Sequence, residues 1–198
     1  MYLIGDKFPK VYILAIFFCA MQTAIAILPT DTASLPTDLG LVAIDFFMTA
    51  VDLRDDGSLP WVEKRGLRRI LDKFSLRGVP SVISTDTYAE TVDSVLGDLG
   101  LRERFSAVYD ARNHLMNIPG TAYRIKKIKQ ICDDFHTHPS RVVMFGDLFT
   151  DKMAAKRAGA HFRYIAPHCL DPGLNFEHYL NNSFENKNNE WQSPSSFH

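Results

Sequence analysis

From Leu41 onward the chain keeps changing its hydrophobic period, and that alternation constrains the fold more than any other feature. Leu41 to Ile44 is a continuous apolar run, the pattern of a strand covered on both faces of a parallel sheet. Val62 to Gly78 then spaces Leu67, Ile70, Leu71 and Phe74 for one face of a helix, with Gly78 as a stop. Val79 to Ile83 reads as a second strand. Thr87 to Leu101 reads as a helix with a stripe of Val92, Val95, Leu96 and Leu99, and Phe105 to Asp110 as a third strand. A helix over Ala122 to Phe135 carries Ile125, Ile128 and Cys132, and Arg141 to Asp147 is the strongest strand signal in the chain. Asp151 to Ala160 is an Ala-rich helix ending at Gly159, followed by a last strand, His161 to Ala166. Such β-α-β-α order predicts an α/β fold: an open, mostly parallel, Rossmann-like sheet with helices on both faces. In that architecture ligands sit beyond the carboxyl ends of the strands.

At 198 residues and 46% hydrophobic composition, the chain can bury the core of one ordinary domain, expected over residues 40–180. Its flanks differ. Residues 1–27 contain the apolar run Val11 to Leu28 behind Lys7 and Lys10, with a small-x-small site at Ala24-Ile25-Ala26, and read as a signal peptide or membrane anchor. That expectation is of a secreted or membrane-anchored protein; the alternative is a cytoplasmic one whose first segment is a buried helix or strand. Residues 28–39, rich in Pro, Thr and Asp, read as a linker, and the Asn- and Ser-rich 181–198 as a disordered tail, with a glycosylation pattern at Asn181.

With 22 basic against 23 acidic residues, the chain lacks the electrostatic footprint of a nucleic-acid binder. Cys19, Cys132 and Cys169 have no metal-ligand spacing, and only a Cys132–Cys169 bridge is conceivable. His136 with His138, and His161 with His168, read as surface residues for want of convergent partners.

The strand ends carry the chemistry. Asp45 follows the first strand, Ser84 and Thr85 the second, and Gly146-Asp147, then Asp151, follow Phe145. The helix before that last strand is expected to open with a basic cluster, Arg124, Lys126, Lys127 and Lys129. A carboxylate nucleophile, a hydroxyl for a phosphoryl oxygen, a lysine to neutralise charge, and carboxylates for Mg²⁺ would make a phosphoryl-transfer site.

This constellation resembles the haloacid dehalogenase superfamily of aspartate-nucleophile hydrolases over Leu41 to about Ile165. The likeness is clearest in Val82 to Thr87 and in Val142 to Ala160, which is similar to the family's GDxxxD motif with its Ala-rich helix. The short interval between Asp45 and Ser84 leaves no room for a large cap, so the layout is similar to that of the small magnesium-dependent phosphatases, and a phosphorylated substrate, large or exposed, is implied. By resemblance, Asp45 is the nucleophile, Ser84 and Thr85 bind the transferred group, and Lys126 is the family's lysine, with Lys127 and Arg124 as rivals. Asp45, Asp147, Asp151 and the Phe47 carbonyl then hold Mg²⁺.

One position departs. Family phosphatases carry a second Asp two residues after the nucleophile, where this chain has Phe47 in Asp45-Phe46-Phe47-Met48-Thr49; Met48 stands where Gly is usual. The second Asp protonates the leaving alcohol and activates water, and Phe47 can do neither. Three readings follow: a weak or specialised metal-dependent phosphatase, a catalytically inactive binding module on the same fold, and, third, a dehalogenase-like hydrolase. Asp55-Asp56-Gly57-Ser58-Leu59 is similar to half of the first motif but lacks a preceding strand and is expected to be a turn. Phe46, Phe47 and Phe149 are expected to pack the mouth of the cleft.

Overall fold

The computed structural model describes residues 35–52, 61–168 and 170–184. The segment read as a signal peptide or anchor, the Asp55–Leu59 stretch and Cys169 lie outside them. Among the described residues no helix is long and apolar enough to cross a membrane.

Five strands form one parallel sheet: β1 (Leu41–Ile44), β4 (Ser81–Ser84), β5 (Ala107–Tyr109), β8 (Val142–Gly146) and β9 (His161–Tyr164), in the order β5-β4-β1-β8-β9. The first strand is therefore central, and the chain leaves it in one direction towards β5 and later returns to build β8 and β9 on the other side. That reversal is the switch point at which open α/β sheets form their crevices.

Alternation along the strands sorts the core onto two faces. Val42 and Ile44, with Ile83, Val143 and Phe145, meet α1 (Leu67–Leu76) through Leu67, Ile70, Leu71 and Phe74, and α2 (Ala89–Asp98) through Val92 and Leu96. Leu41 and Ala43, with Val82, Val142 and Met144, meet α3 (Ile128–Asp134) and α4 (Phe149–Ala158) through Ile128, Ile131, Cys132, Ala154 and Ala155. Cys132 is buried there as a free thiol, not bridged. The basic residues between the apolar positions of α1 stay outside, as its period requires.

Three local expectations are corrected. Val62 and Glu63 belong to a strand: β2 (Val51–Asp52) and β3 (Val62–Glu63) pair antiparallel, and the helix begins only at Leu67. Arg124 to Lys126 is likewise not helical. It is β7, paired antiparallel with β6 (Leu115–Asn117) in a hairpin that inserts before α3. Finally, α5 (Phe176–Phe184) runs four residues into the segment read as a tail, because Phe176, Tyr179 and Leu180 are buried against Phe145 and the α1 face. The end of the linker is also tied down: Leu39 is buried, Gly40 N–H donates to Arg141 O at 2.8 Å, and Arg77 donates to Thr37 O at 3.0 Å.

Candidate active site

The parallel register sets the geometry. Ile44 pairs with Ile83 on one side and with Phe145 on the other, so the residues that follow, Asp45, Ser84 and Gly146-Asp147, emerge together at one edge of the sheet. Asp45 N–H donates to Phe145 O at 2.9 Å, which continues the ladder one residue past the strand and fixes the carboxylate's starting point.

Gly146 makes the next approach. A Cβ there would lie 2.5 Å from Asp151 Oδ2 and 2.7 Å from its Cβ, so only glycine lets the first turn of α4 swing that carboxylate under the strand end. Asp151 Oδ2 accepts the N–H of Leu148 at 3.3 Å, capping the helix, while Oδ1 accepts from Lys126 Nζ at 2.7 Å. Lys126 also donates to Asp45 Oδ1. Of the basic cluster, Lys126 alone is buried here: Arg124 is exposed and Lys127 reaches out to the Asn113 carbonyl at 2.7 Å. Position along the hairpin separates them: Lys126 ends β7 opposite Leu115, next to α3, whereas Arg124 pairs with the exposed Asn117 towards the hairpin's turn.

One oxygen from each of Asp45, Asp147 and Asp151 lies within 4.8 Å of the others. Three carboxylates so close repel, and burial deprives them of water. Burial is the main reason that Asp45 is pushed up to about 7; Lys126 pulls against it, and Asp151 and the nearby exposed Asp86 add to it. Burial, then the charges of Asp45 and Asp151, likewise hold Asp147 well above the ordinary carboxylate range. Asp151 is raised by burial against the pull of Lys126. Burial acts to lower Lys126, but Asp151 and Asp45 outweigh it and keep the ammonium firmly charged. The donor set is all oxygen and short of positive charge, which suits a hard divalent cation.

Other expected residues fall out as follows. Ser84 is fully buried and its Oγ lies 2.8 Å from His114 Nε2. Thr85 is buried beside it, its N–H bonded to Tyr109 O and its hydroxyl accepting from Thr87 N–H at 3.2 Å, so it braces its own loop. Thr49 donates to Asp147 Oδ1 at 3.2 Å. The Phe47 ring, half-buried, packs on Trp61 at 4.5 Å and Phe46 at 4.7 Å. The three phenylalanines do not act alike: Phe46 is wholly in the core, whereas Phe149 is 51% exposed. His136, His138, His161 and His168 are all exposed.

Three residues escaped the sequence reading. His114 sits in a stretch with no motif around it. Asp86 lies within the Val82–Thr87 signature without a role of its own. Lys64 is buried, donating to Asp52, to Ala166 O and, at 3.2 Å, to Met48 O, and so ties the loop after β1 to the chain after β9. Only a burial map could single out that lysine, since its neighbours Glu63 and Arg65 make it look like surface.

A family described as haloacid dehalogenase-like hydrolase matches residues 55–165, a span that includes Ser84, Lys126, Asp147 and Asp151. No curated protein matches the chain. Solved structures share the fold. One is described as a predicted phosphoglycolate phosphatase from Haemophilus somnus, 14% identical with a TM-score of 0.54, the match covering 73% of this chain and 98% of that one. A haloacid dehalogenase-like family hydrolase from Streptococcus pneumoniae is 14% identical, TM-score 0.52, covering 74% and 92%. The D,D-heptose 1,7-bisphosphate phosphatase from B. bronchiseptica, complexed with magnesium and phosphate, is 15% identical, TM-score 0.50, covering 64% and 80%.

Proposed function

The chain belongs to the haloacid dehalogenase-like hydrolase family, and we propose that it is a metal-dependent phosphohydrolase that works through an aspartyl-phosphate on Asp45. The observation that carries this reading is the buried contact of Lys126 with both Asp45 and Asp151, beside Asp147, at the edge where Ser84 emerges. An Asp45 oxygen attacks phosphorus, the bond to the leaving oxygen breaks, and its electron pair departs with that oxygen. Ser84 and Lys126 bind the phosphoryl oxygens and neutralise the charge they carry, while Thr85 braces the loop that follows Ser84. Asp45, Asp147, Asp151 and the Phe47 carbonyl are the groups that would hold Mg²⁺. When bound, the ion screens the carboxylates and stabilises charge on the phosphoryl group.

Phe47 narrows this chemistry. Packed on Trp61 and Phe46, it offers no proton to the leaving group and no base to water, help generally worth about 10² to 10⁴ in rate. Activity is therefore weak or specialised, favouring leaving groups that depart without a proton, and the slow step is attack of water on the acylphosphate, which releases inorganic phosphate and frees the Asp45 carboxylate. Two proteins that share the fold, one described as a predicted phosphoglycolate phosphatase and the other as a heptose bisphosphate phosphatase, are named for phosphorylated compounds, which fits a phosphorylated substrate here. The same Phe47 favours a second reading, an inactive module that binds phosphate or a partner. Dehalogenation falls behind both, because a cluster of three carboxylates serves no purpose in displacing a halide.

The test is hydrolysis of an aryl phosphate by the full chain with and without Mg²⁺, beside Asp45→Asn and Phe47→Asp. Metal-dependent turnover abolished by Asp45→Asn supports the phosphohydrolase. A silent parent whose activity appears with Phe47→Asp favours the binding module.

A further inference from the structure

Ser84 is given the task of donating its one hydroxyl proton to a phosphoryl oxygen, yet it is not alone in its pocket. His114 Nε2 lies 2.8 Å from its Oγ, and neither side chain is exposed at all. A buried hydroxyl beside an imidazole has two choices: it donates to the ring nitrogen, and its proton is consumed, or it accepts from the ring N–H, and its proton stays free. The other ring nitrogen decides between them. His114 Nδ1 is buried and has no hydrogen-bond partner; Gln130 is the polar side chain that acts on the ring, and it favours the protonated form. Were the proton on Nδ1, a buried N–H would be left without an acceptor, an arrangement folded proteins almost never keep; a lone pair left without a donor costs less. The ring is also held in place, packed on Tyr109 at 5.1 Å, with the His114 carbonyl accepting from Lys127 N–H at 2.9 Å.

We propose that His114 is a positioning residue: its Nε2–H donates to Ser84 Oγ, which frees the Ser84 proton and turns it towards the phosphoryl site. Burial, then the charges of Lys126 and Lys127, push the imidazole down to about 3, so the donor is a neutral ring that brings no extra positive charge to the site. The arrangement also links two parts of the site through one side chain, because His114 precedes β6, whose Leu115 pairs with Lys126. The second half of the proposal rests on the phosphohydrolase reading; the first half does not.

The experiment has two readouts on the full chain. A two-bond ¹H–¹⁵N correlation spectrum reads the tautomer directly: His114 should be protonated on Nε2, with that signal moved by Ser84→Ala, and a proton on Nδ1 overturns the proposal. Titration with inorganic phosphate in Mg²⁺ then closes a double-mutant cycle. His114→Leu should weaken phosphate binding about tenfold, in keeping with one lost hydrogen bond. His114→Gln, which keeps a side-chain N–H near the position of Nε2, should restore most of it, a rescue that a merely structural role would not give. In the Ser84→Ala background His114→Leu should cost nothing further; the same tenfold loss there overturns the proposal. A parent that binds no phosphate overturns the phosphoryl site itself and the role of the Ser84 proton with it, whereas an Nδ1–H ring in a parent that binds phosphate overturns the role of His114 alone.

Discussion

At the scale of single residues, the site is held by close approaches that leave little slack. Gly146→Ala would put a methyl group into the Asp151 carboxylate, and overpacking of that kind costs about 1–3 kcal/mol. It should also weaken Mg²⁺ binding, readable by calorimetry, since Asp151 is what moves. Met48 shows the opposite economy. It stands at φ 62°, in the left-handed region that glycine enters freely. A non-glycine residue is strained there by about 1–2 kcal/mol, so Met48→Gly should raise the thermal midpoint and Met48→Val should lower it. The turn survives because Lys64 grips the Met48 carbonyl and Ala50 N–H donates to Asp45 O at 3.1 Å. Asp45, Ser84 and Asp147 stand out in the sequence because each lies at or just past the end of a strand, where side chains must leave the sheet, and Asp151 because it falls one helical turn after Asp147. His114 does not, because nothing in the local pattern says that a hairpin will fold it back onto Ser84.

At the scale of elements, long hydrophobic periods were readable and short pairings were not. Four of the five parallel strands are four or five residues long, β5 is three, and four of the helices carry apolar stripes. The hairpins β2–β3 and β6–β7 have strands of two or three residues, too short for a period, and their pairing is decided by what they pack against. That is why Lys126 was expected at a helix start yet lies on a strand, from which it donates to Asp45. The last helix, α5, completes the core opposite Phe145. Gly66 lets it approach: at φ 82° it passes 2.6 Å, measured from where a Cβ would be, from the Glu177 nitrogen. Phe176→Ala should therefore cost about 3–5 kcal/mol in a denaturant titration, comparable to Phe74→Ala in α1, if α5 belongs to the same cooperative core. A loss under 1 kcal/mol would mean that the helix is a peripheral strap.

At the scale of the whole molecule, stability and function meet in the three carboxylates. Each is raised above its ordinary range, so the folded protein holds protons that the unfolded chain releases. By linkage, these groups make stability fall as pH rises from about 4, through the value of about 7 reached by Asp45. In chelator, Asp147→Asn should thus melt above the parent by a margin that widens from pH 5 to pH 8; a constant or shrinking margin would contradict the repulsion. Added Mg²⁺ should stabilise the parent more at pH 8 than at pH 5, and Asp147→Asn much less at either. Lys126→Met should be tolerated better at pH 5, where the carboxylates it leaves behind can be protonated, than at pH 8, where they are left ionised and buried.

Whether Asp45 takes up a phosphoryl group can be read directly by peptide mass analysis of the full chain, acid-quenched after brief exposure to an aryl phosphate with Mg²⁺. One hydroxylamine-labile phosphoryl group is expected on the peptide containing Asp45, accumulating because Phe47 cannot speed its hydrolysis, and absent without metal or in Asp45→Asn. A parent chain that releases phosphate while carrying no such group, or carrying it on another residue, would contradict this role of Asp45.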